Sequence, residues 1–385
     1  FLCCLTPLCF YKYSIFTENV YVNAYFLDPL ILPLGLSFFT FQAISYIFDC
    51  YRKTIETPVK FKDFLLYIAF FPQLVAGPIV RANQLIPQLT SNITITKANC
   101  LIGFQLFLLG LFQKIVIADH LAIFVNGVFK EPDLFNSLTL WFGLLCFCAQ
   151  VFSDFCAYTL MAIGLARIFG ITLPENFNEP FFAANISDFW QRWHITLTTW
   201  LRDYVFMPLG GSRGRSWRSV AAILITLLIA GAWHSLHWTF LAWGLIQGIA
   251  LIVHRIWRMH RRKFLSKAFL NSYIYSFGCW GLLVFFIVLS SLFSRAHSTD
   301  VFIKYWIGLW RNTGELYWFY PPAIVIFFAA IFIYAPLRIF FKKETFLPPY
   351  KNPVKKLPFA IILLMLLATF LFSPPEVEQF IYLRF

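Results

Sequence analysis

The chain has 385 residues, of which 59% are hydrophobic and only 13% are charged. A soluble domain carries about 25% charged residues, so composition excludes a soluble fold with a single anchor and points to a polytopic membrane protein. The net charge of +13 comes from basic residues clustered between apolar runs, which reads as topology signals and anionic-lipid contacts, not as a nucleic-acid interface.

A membrane-spanning helix needs about 20 apolar residues. The first apolar run, Phe1–Phe10, is too short, and the chain reads as one membrane domain over residues 1–385 whose N-terminal helices lie upstream. Spans are expected at Pro29–Phe48, Cys100–Ala118, Leu138–Leu160, Tyr273–Phe293, Pro321–Phe341 and Leu357–Ser373. Phe61–Val80 is apolar but interrupted by Pro72, Gly77 and Pro78, which fits either a re-entrant element covered by protein or a kinked surface helix. Lys114, near one helix end, is expected to snorkel to the interface.

Charge sets the topology. Arg213–Arg218, Arg255–Lys267 and Lys342–Lys356 are strongly basic and read as cytoplasmic. Asp119–Ser137 leans acidic and reads as an outer loop, as does the tail with Glu376 and Glu378. The apolar stretch Ser219–Trp257 is basic at both ends. It is therefore expected to enter and return as a hairpin, with His234 near its turn and inside the bilayer. The nine cysteines show no C-x-x-C spacing and lie mostly in apolar runs, so no structural disulfide is expected.

Between these spans, Ile186–Tyr204 shows an amphipathic helical period. Phe189, Trp190, Trp193, Leu197, Trp200 and Leu201 lie on one face, and Asp188, Gln191, Arg192 and Arg202 on the other. Ser187 is placed to cap it, Asp188 and Arg192 to pair at i, i+4, and Pro208 with Gly210 and Gly211 to stop it. Its three tryptophans suit a helix lying in the interface plane. The chain shows no internal repeat of the inverted-transporter kind.

The chemistry-bearing residues are few. An ionisable group inside a membrane is expensive and marks a functional site by default. A buried neutral imidazole is a competent general base, so His234 and His194 are the leading candidates, although a histidine hydrogen-bonded to a neighbouring helix is the plain alternative. His237 follows His234 at i+3, but no carboxylate or cysteine stands beside either, and no metal site is expected. Gln150, Ser153 and Asp154 interrupt another apolar helix. Asp154 either pairs with a cation such as Arg192 or Arg202 or lines a cavity. No phosphate-binding glycine loop, nucleophile elbow or H-E-x-x-H motif is present.

Three stretches together resemble one family: Phe189-Trp190-Gln191-Arg192-Trp193-His194-Ile195 with its continuation to Tyr204, Pro208-Leu209-Gly210-Gly211, and Gly231-Ala232-Trp233-His234. Leu32-Pro33-Leu34-Gly35, Pro72-Gln73-Leu74-Val75-Ala76-Gly77-Pro78 and Phe380-Ile381-Tyr382-Leu383-Arg384-Phe385 support it. The chain is thereby similar to the membrane-bound O-acyltransferases (MBOAT), in particular their bacterial polysaccharide branch of alginate O-acetylation and teichoic-acid D-alanylation. The resemblance covers the chain from about Tyr11. It departs at Ser235, where glycine is usual, and Phe152–Tyr158 matches the family's aspartate-bearing helix only in part.

The resemblance implies an all-α ring of transmembrane helices around a central tunnel, with re-entrant and amphipathic helices. It makes His234 the catalytic histidine and sets His194 in the same tunnel, whose walls would include Trp193, Trp233, Ser235, Gln150 and Asp154. Positive charge at the cytoplasmic mouth, from Arg192, Arg202, Arg213 and Arg215, suits the phosphates of an acyl-CoA donor, acetyl-CoA being the expected one. No bound cofactor is expected. The acceptor would be a hydroxyl of an envelope polysaccharide or of a partner protein. A periplasmic or extracellular acyltransferase partner would complete the transfer, and the location would be the bacterial cytoplasmic membrane. Two other classes compete: a transporter or flippase with proton-relay histidines, and a structural scaffold.

Overall fold

In hydrocarbon, backbone polar groups must be satisfied within the segment itself, and the apolar runs of this chain do so as helices. The computed structural model describes residues 35–55, 59–74, 77–212, 216–317, 359–374 and 380. Among them no regular β-strand forms, and five helices are long and apolar enough to cross a membrane. The protein is a multi-pass, all-α membrane protein. The described residues group into two compact units, one drawn from residues up to 107 with 159–175, the other from 108–158 and 176–385.

In the first unit, α1 (Leu36–Tyr51) is the described part of the first expected span. The proline-broken segment folds as α2 (Phe61–Ile68) and α3 (Phe71–Leu74), followed by α4 (Ala82–Thr90). At 8 residues, α2 is roughly 12 Å long and cannot cross a bilayer. The bend is tied by the fully buried Tyr67, whose hydroxyl donates to the Val80 carbonyl at 2.8 Å, and by the Gln73 amide, which donates to the Tyr67 carbonyl at 3.1 Å.

From Lys97 onward, two expectations are corrected. Lys97–Lys130 is one helical rod: α5 (Lys97–Phe112), a π-helical stretch (Gln113–Ala118) and α6 (Asp119–Lys130). The outer loop expected over Asp119–Ser137 is helix as far as Lys130, and only residues 131–136 connect it to the next helix. The reason is ionic: Lys114 Nζ lies 2.7 Å from Asp119 and 2.7 Å from Asp154, and all three side chains are largely buried. Charges that neutralise one another inside protein need not end a helix, and Lys114 turns inward where snorkelling was expected.

The next helix, α7 (Ser137–Ile168), extends eight residues beyond the expected span end at Leu160. Its N-terminal half packs with α6 and α13 (Tyr273–Arg295) in a core that includes Leu121, Phe124, Leu144 and Leu292. The neighbouring helix α14 (Thr299–Trp310) adds Tyr305, whose hydroxyl donates to the Leu140 carbonyl at 2.7 Å. The last described helix, α15 (Phe359–Leu371), has 13 residues. The expected span Pro321–Phe341 lies outside the described residues.

The hairpin forms as expected, from α10 (Ser216–His234) and α11 (Trp238–Phe264), turning at residues 235–237, and the short α12 (Lys267–Leu270) leads from it to α13. The arms have 19 and 27 residues, or roughly 28 and 40 Å. Each is long and apolar enough to cross a membrane. The two helices approach at glycines. A Cβ on Gly231 would run into the Phe240 carbonyl oxygen, and one on Gly244 into that of Leu227. Small residues at such a crossing let two backbones touch, and this is why glycine stands three residues before His234.

Candidate active site

The amphipathic stretch is not one helix. It divides into α8 (Ile186–Arg192), α9 (Ile195–Leu201) and a π-helical turn (Arg202–Phe206), with the break at Trp193 and His194. His194 adopts φ 41° and ψ 54°, a left-handed conformation that costs a non-glycine residue about 1–2 kcal/mol. Asn176 holds the break together. Its backbone carbonyl accepts from Ile195 N at 2.8 Å; its side-chain oxygen accepts from Thr196 Oγ1 at 2.6 Å and Thr196 N at 3.3 Å. The same oxygen lies 3.3 Å from His194 Nδ1. Since that oxygen only accepts, Nδ1 carries the ring proton and Nε2 carries the lone pair. Burial, and then the neighbouring His234, hold the His194 imidazole well below the usual histidine range, so it is neutral near pH 7.

The helix cap also differs from expectation: Asn185, not Ser187, caps α8, accepting from the Asp188 backbone N–H at 3.0 Å. The aromatic face does not lie on lipid. Trp193 stacks on Phe189 with ring centroids 5.5 Å apart and meets Phe152, Phe177 and Phe181, while Trp200 is buried. These rings wedge the break against α7, which is what fixes His194 in space.

His234 ends α10 and is set among rings. Trp233 lies at 4.5 Å, Phe240 stacks at 5.9 Å, and Trp243 meets it edge-on at 5.7 Å. His194 has its own edge contact, with Phe155 at 4.6 Å. The two imidazoles face a common cavity of about 370 Å³ within the second unit, walled by α7, α8, α9, α10, α11 and α13. Along α10 it runs from Ile223 to His234, roughly 16 Å. Its lining is mostly apolar with a few polar groups converging on it, the usual character of a small-molecule site.

The other sequence candidates divide. Trp193 and Arg202 line the cavity. Trp233 and Ser235 do not: Trp233 is packed away beside His234, and the Ser235 hydroxyl accepts from His237 N at 3.2 Å within the turn. Gln150 and Asp154 are also off the cavity, because α7 turns Phe147, Cys148 and Val151 towards it. Asp154 pairs with Lys114, whereas Arg192 pairs with Asp188 at 2.7 Å and Arg202 with Asp203 at 2.8 Å. Arg192 is likewise absent from the lining, and Arg213 and Arg215 lie outside the described residues. Among the described residues no group of three potential ligands is placed to hold a metal ion, and six cysteines are unbridged.

Three features escaped the sequence reading. Asn176 lies in an irregular loop with no pattern to mark it. Trp190 and Trp243 were visible only as apolar positions, yet they meet at 5.9 Å and both line the cavity. Gln247, Ser290, Ser291 and Ser294 stand in spanning helices and also line it. The signal for them in the sequence is a polar residue inside an apolar helix, the same signal that marks Gln150, Ser153 and Asp154.

The fold and the cavity define a multi-pass helical membrane protein with a small-molecule-sized site lined by two histidines. The particular family follows from comparison: residues 35–294 match the family model described as MBOAT, membrane-bound O-acyltransferase family, and the chain belongs to that family. It is 40% identical over 261 residues to a protein of Helicobacter pylori named peptidoglycan O-acetyltransferase, covering 61% of this chain and 50% of that one. It is 37% identical over 263 residues to the probable alginate O-acetylase AlgI of Azotobacter vinelandii, covering 66% and 52%. A teichoic acid D-alanyltransferase of Streptococcus thermophilus is 28% identical over 258 residues, covering 61% and 59%. The chain spans about half the length of the first two of these relatives.

Proposed function

We propose that this chain is the catalytic membrane domain of an O-acyltransferase, moving an acetyl group from a cytoplasmic acyl-CoA to a hydroxyl of an envelope polysaccharide or of a partner protein. The observation that carries the reading is the convergence of His194 and His234 on one cavity. In the reaction, His234 accepts the proton of the acceptor hydroxyl as its oxygen attacks the acyl carbonyl carbon. The carbon–sulfur bond breaks, the carbon–oxygen ester bond forms, and the departing thiolate receives the proton. His194, neutral and anchored on Asn176, orients the reactants through Nε2. Arg202, half exposed at the cavity wall, contributes the positive charge that favours the donor's phosphates. Relatives named for acetyl transfer to peptidoglycan and to alginate support a glycan acceptor, and use of a cytoplasmic acyl-CoA would go with the bacterial cytoplasmic membrane.

The test is acetyl transfer by the full-length protein in membranes supplied with radiolabelled acetyl-CoA on the cytoplasmic side. Label incorporated into envelope glycan or partner protein is expected. Intact acetyl-CoA with solute flux across the membrane would instead favour a transporter.

A further inference from the structure

The cavity has a second polar wall, facing away from the histidines in sequence and built on two spanning helices. Gln247 of α11 is 1% exposed and lines the cavity with Ser290, Ser291 and Ser294 of α13. Their hydrogen bonds fix what they offer. Ser290 Oγ donates to the Ile287 carbonyl at 3.1 Å, so towards Gln247 it accepts, from Nε2 at 3.1 Å. This sets the carboxamide nitrogen towards Ser290 and leaves Oε1, the acceptor of the carboxamide, buried with no hydrogen-bond partner. Ser291 donates to the Val288 carbonyl at 2.7 Å and Ser294 to the Ser291 carbonyl at 2.9 Å. Their hydroxyl protons are thus engaged on their own helix, and oxygen lone pairs are what they present.

A wall of acceptors calls for a ligand that donates. A Gln–Ser pair between membrane helices can serve packing alone, but packing does not explain a carbonyl oxygen left buried without a hydrogen-bond partner on a residue that lines the cavity. The acyl thioester group carries no O–H or N–H. An acceptor sugar carries several hydroxyls, of which only one reacts. Gln247 stands one helical turn beyond Trp243, a ring of the cage around His234, and so within reach of a group held at that imidazole. We infer that Gln247 Oε1, backed by Ser291 and Ser294, accepts a hydrogen bond from a non-reacting hydroxyl of the acceptor and so selects polyhydroxylated acceptors. This makes Gln247 a specificity-determining residue, and it rests on the acyltransferase reading above.

The experiment uses the full-length protein in proteoliposomes with labelled acetyl-CoA, offering methyl mannopyranoside and each of its monodeoxy analogues. Wild type is expected to prefer the parent sugar to at least one analogue by tenfold or more in kcat/KM, the consequence of leaving a site oxygen unpaired. Gln247→Met, of similar volume and without the carbonyl, is expected to erase that preference, with the loss falling on the acceptor's KM and not on that of acetyl-CoA. Ser290→Ala, a smaller change that lets the amide rotate, is expected to narrow the preference and serves if Gln247→Met fails to insert. A preference retained by both variants overturns the inference. So does a rise in the KM of acetyl-CoA alone, which would assign the oxygen to an amide N–H of the donor, or an equal rise in both, which would assign it to helix packing. Wild type that acetylates none of the sugars but transfers label to envelope material overturns the sugar subsite while leaving the acyltransferase reading standing; no transfer to anything removes both.

Discussion

His194 and His234 reach one cavity from contrasting backbones. His194 sits in a left-handed break between two seven-residue helices, 2% exposed, with its position set by Asn176 eighteen residues upstream. His234 ends a 19-residue helix and is positioned by its own hairpin, through glycine contacts with the next helix and a cage of three aromatic rings. The first is held by hydrogen bonds from distant sequence, the second by local packing. An anchored, neutral imidazole suits orientation of a substrate. A ring packed among aromatic neighbours at the cavity wall is placed beside the reacting atoms, which suits the moving proton. The two positions should therefore fail in different ways.

The largest structural effect is expected at the hairpin. Gly231→Leu forces a side chain against the Phe240 carbonyl oxygen, where backbone cannot yield as a side chain would. The cost is expected at or above the top of the usual overpacking range, about 3 kcal/mol, read as a lowered unfolding midpoint in detergent together with lost activity. A midpoint unchanged from wild type would show that α10 and α11 do not meet there. A smaller effect is expected at Asn176. Asn176→Ala leaves Thr196 and His194 donors buried without that oxygen, a loss of about 1–3 kcal/mol. Activity should fall further than stability, because the left-handed turn loses the group that holds it. If Asn176→Ala were fully active, the His194 break would be self-supporting and the contrast between the two histidines would vanish.

The same contrast explains what the sequence disclosed. The hairpin was legible because basic clusters bracket an apolar run and lipid permits few alternatives. The long rod Lys97–Lys130 was not, since Asp119 resembles a loop residue until Lys114 and Asp154 are seen to neutralise it. The pairing of Asp154 with Arg192 or Arg202 failed for a related reason: each arginine has a carboxylate within its own segment, and Lys114 lies 40 residues from Asp154. The break at His194 was hidden because the apolar period runs through Trp193 unchanged, and only Asn176 shows that the backbone departs from helix. Both histidines were readable as candidates from their chemistry and motif context. Their shared cavity was expected only through the family resemblance, because it depends on six packed helices that no single segment's pattern discloses.

The most direct test of the account is the acetyl-transfer rate of His234→Ala beside that of His194→Gln, each measured on protein shown to insert and to unfold at the wild-type midpoint. Loss of a general base is expected to cost His234→Ala about 10²–10⁴-fold in kcat, with His194→Gln reduced less and mainly in KM. Wild-type turnover by His234→Ala in properly inserted protein would contradict it.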